Sequence, residues 1–231
     1  MSGLRSWRPA TVETLDLPVG WTIESTLVAA SGGLLAGDFV IAAPRPQAER
    51  LELAVVDVSG KGDAASLRAR PLSEVMDGFL ADLPAADFLV AANTHLVGLD
   101  WEEGFATAVH LSLDVGSGAF EVRSAGHPPA VHWQADTGEW QVLDADGMVL
   151  GVVDHTAYEG RAGVLAPGDS LLLYTDGMVE VPGVDIASGI DALAAAVDAP
   201  HAEWCGLADR LVAAVGSPDD DRALLVVHRH D

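Results

Sequence analysis

Short apolar runs rich in β-branched residues dominate the chain, and turn residues close each of them. Residues 22–30, 38–43 and 51–58 read as the first strands. Residues 105–113 and 119–124 read as a hairpin around Asp114-Val115-Gly116-Ser117-Gly118. Residues 130–134, 140–143, 170–175 and 222–229 continue the sheet material. A second period, with apolar positions three and four apart, marks helices. Leu72, Val75, Met76, Phe79 and Leu80 define the first, over 63–83, where Pro71 is expected to kink the helix or restart it as a new first turn. Phe88, Leu89, Ala92, Leu96 and Leu99 define the second, over 85–99, and alanine-rich stretches at 186–197 and 202–215 supply another pair. A meander of strands interrupted by one helix pair and later by a second predicts an α+β fold. Its expected form is a central antiparallel β-sandwich flanked by helix pairs, in α-β-β-α layers. Residues 1–20 read as an N-terminal arm or first edge strand, and 21–231 as a single domain.

Composition narrows the function classes. A hydrophobic fraction of 49% predicts a packed core rather than disorder. No segment approaches the ~18 consecutive apolar residues of a membrane span, and the first residues carry no apolar stretch of a secretory signal. A cytoplasmic protein is therefore expected. The single cysteine, Cys205, leaves no internal disulfide and is expected to be a buried, inert thiol. With 35 acidic residues against 12 basic, the formal charge is -23. Such a surface repels nucleic acid and anionic membranes, so neither is expected as a partner.

Four places set aspartate beside a turn at the end of an apolar strand. They are Gly37-Asp38-Phe39, Asp57-Val58-Ser59-Gly60-Lys61-Gly62, Tyr174-Thr175-Asp176-Gly177 and Asp219-Asp220-Asp221. Singly, each has a plain explanation as a turn or a solvated loop. Jointly, strand ends that converge at one edge of a sandwich would crowd several carboxylates together, and their repulsion would call for a cation. An oxygen-only set suits Mg²⁺ or Mn²⁺. The 8 histidines form no HExxH or close His/Cys set, so zinc is not expected. His228 and His230 alternate on the last strand and are expected to be exposed tail residues.

In order and spacing, these segments resemble the metal-dependent protein phosphatase superfamily (type 2C), in its bacterial sporulation and stress-response branch, the stage II sporulation protein E type. The motifs above carry the resemblance, joined by Ala64-Ala65, Phe105-Ala106-Thr107, Ser124-Ala125-Gly126-His127-Pro128-Pro129, Pro167-Gly168-Asp169 and Glu180. The resemblance implies two Mn²⁺ or Mg²⁺ ions, with Asp57 bridging them and the Val58 carbonyl completing the second site. Asp176 and Asp220 would bind the first ion, Asp38 would contact the second or orient its waters, and Asp221 would assist from behind. These carboxylates, Asp38, Asp57, Asp176 and Asp220, are the expected catalytic set, while His127 is expected to be a structural turn residue.

Three departures stand out. Ile41 occupies a position that is often aspartate, Ser59 one where the eukaryotic class has a histidine, and no arginine precedes Asp38 to grip phosphate. Lys61, the chain's lone lysine, is a candidate for that charge. The implied activity is hydrolysis of phosphoserine or phosphothreonine on a regulatory partner protein, an antagonist of an anti-sigma factor. A separate partner or a homodimer would exert control. The alternative is a phosphatase-fold binding module with weak or no catalysis.

Overall fold

The computed structural model describes residues 19–30, 36–60, 63–99, 101, 104–197 and 203–231. The expected arm therefore lies almost wholly outside the described residues. So do Lys61 and Gly62.

One sheet has the order β1 (Trp21–Val28), β10 (Arg222–Arg229), β9 (Ser170–Tyr174), β6 (Ala130–Gln134), β7 (Glu139–Leu143). The other runs β2 (Phe39–Arg45), β3 (Arg50–Val58), β4 (Ala106–Asp114), β5 (Ala119–Ala125), β8 (Arg161–Val164). Every pairing within them is antiparallel. Helices α1 (Asp63–Asp82) and α2 (Phe88–Val97) cover the β2–β3–β4 sheet, while α3 (Ile186–Val197) and α4 (Leu207–Ala214) cover the other. The layers are those expected.

The two-residue period of a strand explains why β3 and β10 read as nearly unbroken apolar runs. Leu51, Leu53 and Val55 point into the core between the sheets, and Ala54, Val56 and Val58 into the core under α1 and α2. On β10, Ala223, Leu225 and Val227 face between the sheets, and Leu224 and Val226 face α3 and α4. Both faces are covered, so both must be apolar.

One polar group breaks this pattern. Glu52, on the helix-facing side of β3, is 2% exposed and receives hydrogen bonds from His110 Nε2 (2.9 Å) and Ser112 Oγ (3.0 Å). Burial opposes its charge, yet the His110 and Ser112 bonds hold its carboxyl below the usual range. Arg45, 3.8 Å from Glu52, donates to the carbonyls of Leu80 and Leu83. Those are carbonyls that the end of α1 leaves without helical partners, so the network seats the helix pair on its sheet.

Several expectations need correction. Strand β8 was not anticipated; its Arg-Ala-Gly-Val sequence is largely exposed at a sheet edge, where no apolar alternation is required. Helix α1 runs unbroken through Pro71 and is not restarted there. The proline is exposed, so the carbonyl of Leu67, deprived of its N–H partner, lies on the side that water reaches. Cys205 is exposed rather than buried, because it falls in the turn before α4. His228 is buried, not an exposed tail residue: β10 lies between two strands, and Trp204 stacks on the imidazole at 4.3 Å and 9°. Burial pushes its pKa down to about 4. His230, two residues on, is exposed as expected.

Candidate metal centre

Strand register brings the acidic corners together. Phe39 pairs with Val56, which sets Asp38 opposite Asp57 where the β2–β3 pair ends, and Asp57 pairs in turn with Thr107 on β4. In the other sheet, Leu224 pairs with Tyr174, so the chain leaving β9 at Asp176 meets the chain entering β10 at Asp220 and Asp221. The meeting is locked by Thr175 N–H to Ala223 O (3.0 Å) and Ala223 N–H to Thr175 Oγ1 (2.9 Å). Asp38, Asp57, Asp176, Asp220 and Asp221 line one cleft of about 580 Å³, together with Ser59, Gly60, Arg68, Phe105 and Thr107.

Crowding shows in the electrostatics. Asp38 is 4% exposed and its Oδ2 has no hydrogen-bond partner. Burial, then the Asp57 charge, pushes its carboxyl well above the ordinary range. Burial, then Asp176, with smaller contributions from Asp220 and Asp221, raises Asp57 to about 7. A hydrogen bond between Asp38 and Asp57 pulls the latter the other way, as two carboxyls sharing one proton do. Asp221 is differently employed: its oxygens accept from Ala30 N–H (2.8 Å) and Gly37 N–H (2.6 Å), tying the approach to β2 onto the start of β10.

Beneath the cleft, His127 joins the two sheets. Its Nε2 lies 3.0 Å from the Tyr174 carbonyl, which can only accept, so Nε2 carries the proton. Its Nδ1 then accepts from Thr107 Oγ1 at 2.7 Å. Burial pushes its pKa down to about 3, so the ring is neutral and acts as a strut. A depressed folded-state pKa means that the unfolded chain takes up the proton first. His127 therefore withdraws stability as pH falls from about 6.5 toward 3, by on the order of 2 kcal/mol at pH 5. The raised pKa values of Asp38 and Asp57 act in the opposite sense over part of that range. The clean readout is the imidazole NMR signal of His127, which is expected to stay unshifted from pH 7.5 down to about 4.5. A midpoint near 6 would contradict the strut.

Among the described residues, no three acidic, imidazole or thiol side chains are arranged to hold an ion as they stand. The donor chemistry nevertheless fits a hard divalent cation. The cleft offers carboxylates, one of them with a buried oxygen lacking a partner, and their repulsion is the kind a cation relieves.

Residues 47–230 match the family model described as stage II sporulation protein E (SpoIIE). The chain belongs to the SpoIIE family. Over 136 residues it is 27% identical to the phosphoserine phosphatase RsbP of Bacillus subtilis, covering 57% of this chain and 34% of the relative. Over 134 residues it is 28% identical to the phosphoserine phosphatase RsbU of the same organism, covering 57% and 40%. The matched stretch spans less than half of either relative. Among solved structures, the RsbU and RsbW domains of Rv1364c from Mycobacterium tuberculosis superpose with a TM-score of 0.76 at 27% identity, over 91% of this chain and 60% of that one. The PP2C phosphatase domain and regulatory fragment of SpoIIE from Bacillus subtilis gives 0.75 at 18% identity, over 91% and 64%. The catalytic domain of the serine/threonine phosphatase PstP, in complex with 2 manganese ions, gives 0.65 at 18%, over 91% and 99%. The fold of this SpoIIE-family chain is that of the PP2C phosphatases.

Against the family pattern, the structure sorts the remaining positions. The Val58 side chain is in the core, and its carbonyl would lie 3.3 Å from a Cβ added to Gly37, the residue before Asp38. Ile41 is 3% exposed and packs under α1 in the same apolar cluster as Ala54 and Val56, away from the cleft lining. Asp169 stands at the opposite end of β9 from Asp176. It accepts hydrogen bonds from the Ala135 and Ala166 N–H groups and His132, so it is a buried corner post. Ser59 Oγ accepts from Phe105 N–H at 2.9 Å and lines the cleft. Glu180 is exposed and borders a neighbouring cleft with Asp219 and Asp220. Sequence reasoning missed Arg68. No local signal marked it, since its place at the cleft depends on how α1 docks, with Ala65 Cβ 2.9 Å from where a Cβ on Gly37 would stand.

Proposed function

We propose that the protein is a metal-dependent phosphoprotein phosphatase, acting on phosphoserine or phosphothreonine of a regulatory partner protein in sigma-factor control. The observation that carries this reading is the Asp38–Asp57 pair at the end of one sheet, whose buried carboxyls repel each other and the Asp176 that the other sheet brings beside them. Asp57, Asp176 and Asp220, with Asp38 and the Val58 carbonyl, would hold two Mn²⁺ or Mg²⁺ ions. Bound there, such ions supply a water ionised near neutral pH and positive charge for the phosphoryl oxygens.

The chain's own contribution is placement. Asp221 fixes the approach to Asp38 through the Gly37 N–H, and Thr107 is oriented by His127. No imidazole lines the cleft among the described residues, and water or another group is the proposed source of the proton for the departing serine or threonine oxygen. The phosphoserine phosphatases RsbP and RsbU support the substrate class, and by resemblance the partner is an antagonist of an anti-sigma factor.

A second reading is a binding module with little catalysis, favoured by the lack, among the described residues, of three side chains set to hold an ion as they stand. Hydrolysis of p-nitrophenyl phosphate with added Mn²⁺ separates the two. The wild type is expected to turn over and Asp176→Asn to fall by at least about a hundredfold. Equal rates in both, or no turnover in either, would support the binding module.

A further inference from the structure

The geometry points to Arg68 of α1 as the residue that binds the phosphoryl group of the substrate, with its guanidinium held ready against Trp101. This rests on the phosphatase reading above and adds a recognition residue from an element that carries none of the five cleft aspartates. Helix α1 presents Ala65 to Gly37, the residue before the cleft-lining Asp38. One turn further along, Arg68 lies on the same side of the helix and lines the cleft rim. It is the only basic residue among the described lining residues. A phosphate monoester dianion entering a cleft lined by five aspartates needs positive charge beyond what any bound cations spend on those carboxylates.

The side chain is half-buried, and its guanidinium carbon lies 5.6 Å from the centroid of the Trp101 ring. That cation–π contact restrains a long, flexible arm while leaving the edge of the planar fork open. Among the described residues no ion pair ties Arg68 to the aspartates around it, so its N–H groups are not consumed by carboxylate. Two parallel N–H donors match two oxygens of a phosphoryl group, a fit that an ammonium does not reproduce.

Calorimetric titration of inorganic phosphate into the Mn²⁺-loaded protein tests this directly, with p-nitrophenyl phosphate kinetics run alongside. Arg68→Ala is expected to weaken phosphate binding by at least about tenfold and to raise KM comparably, with a smaller change in kcat. Mn²⁺ affinity is expected to stay within about twofold, and Arg68→Lys to recover only part of the loss. Phosphate binding by Arg68→Ala equal to that of the wild type overturns the assignment. So does a parallel loss of Mn²⁺ and phosphate, which would mark a structural prop, or a wild type that binds no phosphate. A wild type that binds phosphate through Arg68 yet hydrolyses nothing would instead sink the catalytic reading and leave this one standing.

Discussion

Asp57→Asn is expected to abolish Mn²⁺-dependent hydrolysis while raising the melting temperature of the metal-free protein. The two effects have opposite signs because one carboxylate serves binding at the expense of folding. Its pKa is pushed to about 7 by burial and by Asp176, well above the value of ~3.9 in an unfolded chain. A raised folded-state pKa means that the native protein holds a proton which the unfolded chain has released. The associated stability is present below pH ~4 and is lost as pH rises through 7. The full shift would correspond to about 4 kcal/mol, and solvent screening at the cleft reduces it to about 2 kcal/mol. Asparagine keeps the shape, removes the charge and can donate to Asp38.

For a chain of this size, that gain corresponds to a rise of roughly 4–8 °C in the metal-free Tm at pH 8. Loss of the carboxylate that the two cations are proposed to share is expected to lower turnover by at least about 10³-fold, near 4 kcal/mol of barrier. Adding Mn²⁺ at pH 7.5 should stabilise the wild type by mass action and leave the variant unmoved. An Asp57→Asn protein that melts lower than wild type without metal, or that keeps Mn²⁺-dependent turnover, would refute the account of the cluster.

Gly177→Ala is expected to destabilise the protein by about 2–3 kcal/mol and to weaken Mn²⁺ activation at least about tenfold. The reason is a backbone contact, not a backbone angle. A Cβ at 177 would lie 2.0 Å from the Asp221 carbonyl oxygen and 3.2 Å from Arg222 Cγ. Neither neighbour can retreat cheaply. The Asp221 carboxylate is tied to Ala30 and Gly37, Arg222 Nη1 donates to Val212 O at 2.7 Å, and Ser217 N–H holds the Gly177 carbonyl at 2.8 Å. The added methyl therefore wedges Asp176 away from Asp220 and Asp221. Saturating Mn²⁺ should restore part of the rate, since the ligands remain present but apart. Gly78→Ala is the matched comparison: Gly78 lies exposed in α1, and a Cβ there meets nothing within 4 Å. That variant should gain about 0.5–1 kcal/mol from helix propensity alone. Chemical denaturation of both distinguishes the close approach from a general effect of replacing glycine.

The layered fold was legible because its causes are local. Side-chain direction alternates every two residues in β3 and β10, and both faces of these strands are covered, so an apolar run announced each strand. The β8 edge strand was missed because nothing packs across it strongly enough to demand a pattern. Helix α1 defeated the proline rule because Pro71 lies on the solvent side, where the carbonyl it orphans can reach water. Cys205 and His228 reversed their expected exposure for a common reason: burial near the end of an element depends on what packs over it, and Trp204 covers His228 while the turn before α4 leaves Cys205 open.

By itself the sequence determined the layer order, the elements other than β8 and the presence of aspartate at several strand ends, since period and turn chemistry are written over a few residues. Only the tertiary structure decided which acids meet. Asp169 and Asp176 flank the same strand and look alike in the chain, yet one is a buried post and the other lines the cleft, because β9 puts them at opposite ends of the sandwich. The same holds for the His127 strut between sheets and for Arg68 above the acids. Their neighbours are set by strand register and helix docking between distant segments, and no local window of sequence carries that information.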